Sequence, residues 1–529
     1  MRTVRQVPSP ASSVLSRWRK IATVTGVSAA LSLGGCLELQ VDDPNGLNVG
    51  NIYTSASNTE AALIGAFRSY HDMFTASCPS LPFEIYGNVL TTTSTTYIPF
   101  AEEPRIPIDN FDNLNCVSRP SWNNPYESGT FSREVYQGIV NNKLTYGVVN
   151  ATFPIGQDTP SRLVLARFIN AASQLQLGLT NDSAFVMTLE TPLNDFGTKL
   201  EPHPVVLADA VRQFREMIAY ARTVPDFTFP TLWVNQQAIT RDQIIRVAQS
   251  MITRAQVYGA RNKAERDAVN WAQVLARMDS TVLVDFGVQA EAAITRLRST
   301  YYENSAAQNT VRLSNRFIGP ADTSGEYQKW LARSLQDRGV IRITTPDRRI
   351  HGATNLLRGT RFEYRTVAMG SASLGSYLTS SYRSFRYLNA TSDSGRTAFH
   401  RLVSRGEMDM IRAEALYRLG RGTEAAALIN TSRVAAGLKP VTASGPPAGA
   451  DCVPRRDDGT CGDLFDAIQY EKRIEYYPLA GDISWYDARG WGKLQRGTPF
   501  HIPLLGREAA TRGLKVYTYG GVGGPGSAP

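Results

Sequence analysis

The sequence has few of the residues from which enzyme active sites and metal centres are built. Its 529 residues include only five histidines and five cysteines. It contains no G-x-S-x-G nucleophile elbow, no H-E-x-x-H zinc motif and no G-x-x-x-x-G-K-[ST] phosphate-binding loop. The histidines are scattered and no C-x-x-C pair occurs, which argues against a zinc site. The sequence thus predicts no enzyme of these classes, no metal and no cofactor.

Long apolar runs and clustered basic charge are also missing. Beyond residue 35 no apolar run approaches 18 residues, so we expect no transmembrane helix. The formal net charge of +9 is misleading, because residues 1–35 hold five basic residues and no acidic one. The remaining chain has 51 Lys and Arg against 47 Asp and Glu. Without a basic face, nucleic acid is not an expected partner, and 42% hydrophobic content is typical of a globular protein.

The N-terminus has the pattern of a lipoprotein signal peptide. The apolar run Ile21 to Leu33 follows five basic residues and is too short to span a bilayer. Gly34 and Gly35 then precede Cys36, as in a bacterial lipobox, in which the cysteine becomes the lipidated N-terminus. We therefore expect a signal peptide at 1–35, lipid on Cys36 and a tether over 36–56; an ordinary secretory signal is the alternative. Several acyl chains would hold the protein on a membrane.

The other four cysteines form an even set, which in an exported protein favours disulfides. Cys452 and Cys461 flank the polar turn "VPRRDDGT" and are expected to pair locally. That leaves Cys78 to pair with Cys116. Four free thiols are the alternative.

Apolar periodicity predicts a mainly α fold built from helical hairpins. Helical patterns occupy residues 160–179, 205–224 and 240–259, and a clear pair covers 406–419 and 423–436, with Thr423 as a candidate N-cap and Gly437 as a stop. Two such helices with a short turn are the unit of tetratricopeptide-like stacks. We expect this scaffold over about 57–75, 131–289 and 401–500.

Two long stretches lack this periodicity. Residues 76–130 are rich in Ser, Thr, Asn and Pro with scattered aromatics, and residues 290–400 are rich in Arg, Ser, Thr and Tyr. Both are expected to form irregular loops with a few short strands, such as "RGTRFEYRTVAM". The glycine-rich residues 517–529 are expected to be a flexible tail.

Four stretches together resemble the SusD/RagB-like outer-membrane lipoproteins. They are Cys36 with "LELQVDDPNG", "ITRDQIIRVAQSMITRAQVYGARNKAERDAVNWAQVLARMDSTV", "DMIRAEALYRLGRGTEAAALINTSRVAAGL" and "YEKRIEYYPLAGDISWYDARGWGKLQRGTPFHIPL". The last is similar to the family's closing motif of Trp-x-Asp-x-Arg followed by Trp-Gly, although Pro478 interrupts a helix that is longer in the family. Asp487 and Arg489 in this motif are expected to form a structural ion pair, and Trp485, Tyr486 and Trp491 to serve packing.

The resemblance implies one SusD-like domain over 57–529, with loops at about 76–130 and 290–400 facing the ligand. It also implies a non-enzymatic surface lipoprotein of the outer membrane. Such a protein captures glycans, or peptides in some branches, for a SusC-like TonB-dependent barrel. A surface glycoside hydrolase and a purely protein-binding helical-repeat scaffold are the alternatives.

Sugars stack on flat aromatic rings, while neighbouring polar side chains read their hydroxyl groups. Aromatic residues in the irregular regions are therefore the candidates for the ligand site: Tyr97, Trp122, Tyr126, Tyr301, Tyr302, Tyr327 and Trp330. For any one of these residues taken singly, a role as core anchor of its own loop is the favoured alternative.

Overall fold

The structure of the protein, a computed structural model, describes residues 56–75, 77–109, 116–145, 159–193, 199–289, 311–366, 372–385, 399–476, 482–515 and 517–529. The predicted signal peptide, Cys36, most of the tether, Tyr301 and Tyr302 lie outside these residues. None of the helices in the described part of the chain is long and apolar enough to cross a bilayer.

The described residues are mainly α-helical, which confirms the predicted fold class. The helices are α1 (Ala56–Thr75), α2 (Ser77–Tyr86), α3 (Ile98–Ala101), α4 (Ser118–Thr145), α5 (Thr159–Thr180), α6 (His203–Thr223), α7 (Arg241–Tyr258), α8 (Lys263–Asp267), α9 (Trp271–Arg277), α10 (Asn315–Ile318), α11 (Glu326–Ala332), α12 (Arg405–Arg418), α13 (Gly422–Ala435), α14 (Leu464–Tyr476), α15 (Ile483–Trp491) and α16 (Gly506–Thr511).

The strands are short and pair only in twos within the described residues. The antiparallel pairs are β1 (Leu90–Thr92) with β6 (Val311–Leu313), β2 (Ile108–Asp109) with β10 (Thr518–Tyr519), β3 (Ser183–Phe185) with β4 (Leu200–Pro202), β5 (Phe286–Gln289) with β9 (Phe399–Val403), and β7 (Phe362–Tyr364) with β8 (Tyr382–Ser384).

A stack of helices from the first half of the chain forms most of the core. Helix α5 packs against α4 and α6, and α6 packs against α7. Helix α5 is buried nearly all round, which makes it the central member of the stack. Helix α7 starts with a capping box, because the Thr240 hydroxyl accepts from the Gln243 amide and the Gln243 side chain accepts from the Thr240 amide.

The hairpin α12–α13 lies close to its predicted position and packs on α14. Gly420 (φ +76°) and Gly437 (φ +79°) end its two helices in left-handed conformations. The expected N-cap at Thr423 is wrong. Helix α13 begins at Gly422, and Arg421 occupies the N-cap position without a side-chain cap.

Helix α4 begins 13 residues before the predicted helix start at 131, so residues 118–130 are helix and not loop. The prediction missed this because "SRPSWNNPYES" contains Pro125 and weak helix formers. Trp122 and Tyr126 in this segment contact Phe185, with ring centroids 5.6 and 5.9 Å away. Burial of these rings offsets the poor local propensity.

The C-terminal residues 517–529 are packed, which contradicts the predicted flexible tail. Thr518 and Tyr519 pair with β2, and Ala528 is buried. The Gly497 amide donates to the Ala528 carbonyl (2.9 Å). The glycines thus serve tight turns with positive φ instead of disorder.

Both predicted disulfides are present. Cys78 and Cys116 join the start of α2 to the segment before α4, with 4.6 Å between Cα atoms. Cys452 and Cys461 close a loop between α13 and α14, with 5.9 Å between Cα atoms.

Buried ion pairs connect helices α7 and α8 to helix α12 of the C-terminal hairpin. Arg254 of α7 donates to Glu407 of α12 (2.9 Å), and Arg266 of α8 donates to Glu414 of α12 (2.7 and 3.0 Å). The expected ion pair of Asp487 with Arg489 is wrong.

Asp487 instead accepts from Lys472 (2.8 Å), while Arg489 donates to the carbonyls of Leu179 (2.8 Å) and Tyr258 (2.9 Å). Trp485, Tyr486 and Trp491 are buried, as expected for packing residues.

Candidate functional site

Segments from distant parts of the chain meet around an open cleft of about 870 Å³. One side is formed by the turn after α2 and by residues 103–104, and another by α10, α11 and the residues that follow α11. The disulfide-closed loop at 454–458, helix α14, helix α15 and the residues after α15 complete the lining.

The base of the cleft contains an arginine without a carboxylate partner. Arg473 of α14 donates to the carbonyl of Asn88 (3.2 Å), and its guanidinium lies 5.5 Å from the Phe317 ring centroid. Within the described residues, no carboxylate oxygen lies within 4.0 Å of its side chain. Burial lowers the pKa of Arg473, since removal from water disfavours the charged form.

Two further arginines share one carboxylate at the side of the cleft. Arg316 and Arg338 both donate to Glu103, and the Arg338 hydrogen bond is 3.1 Å long. Their guanidinium carbons lie 5.6 and 5.0 Å from the ring centroid of Trp330. Cation–π contact with Trp330 therefore orients both arginines, and one positive charge remains in excess over Glu103.

The disulfide loop supplies Arg455 and Arg456 to the opposite side. Arg455 donates to the carbonyls of Gly449, Ala450 and Gly459, each at a distance of 3.1 Å. Arg456 is paired with Asp466 (2.7 Å). The bridge between Cys452 and Cys461 holds both ends of this loop, so it fixes the arginines relative to α14.

The lining as a whole is rich in positive charge. Its basic residues are Arg316, Arg338, Arg455, Arg456, Arg473, Lys493 and Arg496; its acidic residues are Glu103, Asp457, Asp458 and Asp466. Uncharged hydrogen-bonding side chains, among them Asn88, Gln469 and Gln495, lie between them.

Solved structures resemble this architecture, although no family model matches the sequence and no curated protein matches it. A SusD-like protein from Bacteroides fragilis aligns with a TM-score of 0.56 at 11% identity, over 88% of this chain and 97% of that chain. A SusD superfamily protein from Bacteroides thetaiotaomicron aligns with a TM-score of 0.55 at 12% identity, over 88% and 98%. The chain has a SusD-like fold.

The SusD-like fold places two of the predicted aromatic residues away from the cleft. Trp122 is only 3% exposed and packs with Tyr126 and Phe185 in a separate apolar cluster. The Tyr126 hydroxyl accepts from the Phe185 amide (2.6 Å). In this arrangement Trp122 offers almost no ring surface to a ligand.

Of the other predicted aromatics, only Tyr327 is placed in the lining of the cleft by the described residues. Tyr327 lines it but is 2% exposed, and Trp330, 3% exposed, donates its indole N–H to the Gly339 carbonyl (2.8 Å). Tyr97 is half-buried against the main core. Tyr301 and Tyr302 lie outside the described residues. The structure brings Tyr327 and Trp330 together with stacked rings 6.0 Å apart.

Sequence reasoning missed the arginines of the cleft. Arg316 and Arg338 are 213 and 235 residues from Glu103 in the chain, so no local motif reports their proximity. Only the loop "VPRRDDGT" had a local sequence signal for grouped arginines, because its charged residues lie between two cysteines. No group of His, Cys, Asp or Glu among the described residues is arranged to hold a metal ion.

The Cys452–Cys461 bridge is expected to stabilise the SusD-like domain as well as the cleft. Replacing both cysteines by serine should lower the free energy of unfolding by about 2.5–3 kcal/mol, since the closed loop loses its restriction in the unfolded chain. Chemical denaturation of the full-length chain in detergent measures this loss. Ser444→Ala, at an exposed position outside the bridged loop, is the control, and equal stability of the double variant and the wild type would contradict the prediction.

Proposed function

We propose that this protein is a lipid-anchored outer-membrane surface protein that captures oligomeric nutrients, most of all glycans, and delivers them to a SusC-like TonB-dependent transporter. The observation that carries the proposal is the open cleft of about 870 Å³ on a SusD-like fold. Its volume is near the upper end of the range for ligand pockets, about 300–1,000 Å³. Its polar side chains match the hydroxyl groups of an oligosaccharide.

The carboxylates of the cleft support binding over hydrolysis. A glycosidase needs one carboxyl group as a proton donor and a second as a base or nucleophile. Glu103 instead bridges Arg316 and Arg338, and Asp466 is paired with Arg456. Both carboxylates accept hydrogen bonds from guanidinium groups, so their oxygens are already engaged within the protein.

The N-terminal sequence supports the location, and the resemblance supports the partner. Basic residues, an apolar run and Cys36 are the pattern of a protein that is exported and lipidated. A lipid anchor with several acyl chains keeps the protein at a membrane without a transmembrane helix. The same resemblance makes a TonB-dependent barrel the expected recipient of the ligand.

We expect the full-length chain, extracted from its membrane in mild detergent, to carry fatty acid on Cys36 and to co-purify with a large outer-membrane barrel. It should retain oligosaccharides without shortening them. Mass spectrometry, affinity purification and glycan-array binding measure these properties. The matched control is Cys36→Ala, which removes the acylated thiol and should abolish both fatty-acid incorporation and membrane retention.

Three outcomes would contradict the proposal, each in a different way. Release of shorter saccharides would identify a hydrolase. Retention of peptides without any oligosaccharide would identify a peptide-capturing protein of the same architecture. Capture of protein partners with neither ligand would identify a helical-repeat scaffold.

A further inference from the structure

The cleft contains more positive charge than its own carboxylates neutralise. Within the described residues, Arg455, Arg473 and Arg496 have no carboxylate oxygen within 4.0 Å, and all three line the cleft. Arg455 and Arg473 hydrogen-bond only to main-chain carbonyls. Carbonyl dipoles satisfy the N–H donors of these groups but carry no opposite formal charge, and Glu84, Asp487 and Asp457 act on Arg473 only from beyond 4.0 Å.

The arginine pair beside Trp330 adds to this excess. Arg316 and Arg338 share the single carboxylate of Glu103 and are 17% and 14% exposed. Their partial burial weakens screening by water and salt, which increases the attraction for an anion. The planar guanidinium group also matches the two oxygens of a carboxylate or sulfate, so these groups suit anion recognition better than recognition of neutral hydroxyls.

We propose that the cleft selects oligosaccharides that carry anionic groups, carboxylate or sulfate, and that Arg473 at its base and Arg455 and Arg496 at its edges hold those groups. This inference rests on the proposed function and specifies its substrate class. The amide side chains of Asn88, Gln469 and Gln495 remain available for the hydroxyls between the charged groups.

An acidic peptide is the less favoured occupant because the cleft offers no strand edge. Peptides bind extended sites by adding a strand to a sheet, or bind apolar grooves as amphipathic helices. The described lining residues belong to helices, turns and loops and to none of the strands β1–β10.

The test compares ligands that differ in charge alone, using the full-length chain in detergent. The acidic probe is an oligogalacturonide of defined length, and its fully methyl-esterified form is the matched neutral probe. A sulfated oligosaccharide of similar length separates sulfate from carboxylate recognition. We expect the acidic probe, the sulfated probe or both to bind at least about tenfold more tightly than the ester, with an affinity that falls as salt is added.

Variants then assign the binding to the cleft. Arg473→Gln and Arg496→Gln should each weaken the anionic probe by about tenfold or more and leave the neutral probe unchanged. Arg473 is partly buried, so its replacement could disturb folding. Arg496 is exposed, and its variant therefore tests the same prediction without that risk. The matched control is Arg421→Gln, at an exposed residue outside the cleft, which should bind as the wild type does.

The outcomes separate the two proposals. Equal binding of charged and neutral oligosaccharides, or insensitivity to both cleft variants, would overturn the anionic class and leave glycan capture standing. Binding of no oligosaccharide would overturn both proposals. Preference for an acidic peptide over every oligosaccharide would also overturn the inference.

Discussion

Glu414→Gln is expected to lower the free energy of unfolding by about 3–5 kcal/mol, because it leaves a positive charge buried without compensation. Glu414 is 1% exposed and accepts hydrogen bonds from Arg266 (2.7 and 3.0 Å), Arg418 (3.0 Å) and the Trp491 indole (3.2 Å). Asp487 is the second carboxylate of this cluster. It accepts from Lys472 (2.8 Å) and from Arg266 (3.2 Å), so a single negative charge would remain for two buried cations. Glutamine keeps the shape of Glu414 but removes the charge that balances Arg266.

The pKa of Glu414 reflects the same opposition between burial and neighbouring positive charges. Burial alone would raise its pKa, but the nearby charges of Arg266, Lys472 and Arg418 lower the pKa to about 2. A carboxylate with a depressed pKa contributes stability above its unfolded value, near pH 4.5, and loses it as the pH falls toward 2. Glu414→Gln should therefore remove part of the acid sensitivity of the protein.

Urea denaturation at pH 7 checks the effect of Glu414→Gln, with Glu424→Gln as the matched control. Glu424, in the first turn of α13, forms an exposed pair with Arg421 at the N-cap of the same helix, so its replacement should give no measurable change. The double variant Arg266→Met/Glu414→Leu should recover most of the loss, since it removes both charges and keeps apolar volume. A single variant as stable as the wild type would show that the pair does not join α8 to α12.

The regular part of this fold was predictable because its signal is local. Helix α5 was expected over 160–179 and occurs at Thr159–Thr180, and the hairpin α12–α13 lies within two residues of its prediction. In both cases apolar residues recur at the helical period, and the core positions are neighbours on one face. The Cys452–Cys461 pair was equally local, since nine positions separate the two residues.

The start of α4 and the ordered tail depend on distant contacts. Tyr126 hydrogen-bonds to Phe185, 59 residues away, and Asp182 accepts from Tyr517 (2.7 Å), 335 residues away. Neither partner can be identified from composition around the segment itself. A Pro- and Asn-containing segment and a glycine-rich tail were therefore predicted as irregular, whereas tertiary packing orders both.

The cleft is the least predictable feature because no single segment carries it. The Arg473 guanidinium and the Asn88 carbonyl are 385 residues apart in the chain, yet they meet at its base. Aromatic residues were the expected signal for a sugar site, but Tyr327 and Trp330 are nearly buried. Trp330 contacts two arginines, and Tyr327 stacks on Trp330. The chemistry that faces a ligand is therefore more cationic than an aromatic pattern suggests.

A second large effect on the free energy of unfolding is expected at Glu84, a buried carboxyl group behind the cleft. Glu84 is 1% exposed; one oxygen accepts from the Ser484 hydroxyl (2.8 Å), and the other has no hydrogen-bond partner within the described residues. Burial raises its pKa to about 8, the Asp482 carboxylate adds to the increase, and Ser484 and Arg473 oppose it. The folded protein therefore holds a proton on Glu84 at neutral pH.

The sign of the pH dependence follows from this raised pKa. Between pH 4.5, where the unfolded chain releases this proton, and about pH 8, the folded state binds one proton more than the unfolded state. The free energy of unfolding should fall as the pH rises through this window, by roughly 3–5 kcal/mol from Glu84 alone. Glutamine has the shape of the protonated carboxyl group but cannot ionise.

Glu84→Gln should therefore match the wild type near pH 5 and exceed its stability increasingly toward pH 9. Urea denaturation of both proteins across this range measures the difference, and Glu216→Gln, at an exposed position on α6, controls for the loss of any one carboxylate. A difference that is independent of pH would show that Glu84 is ionised in the fold.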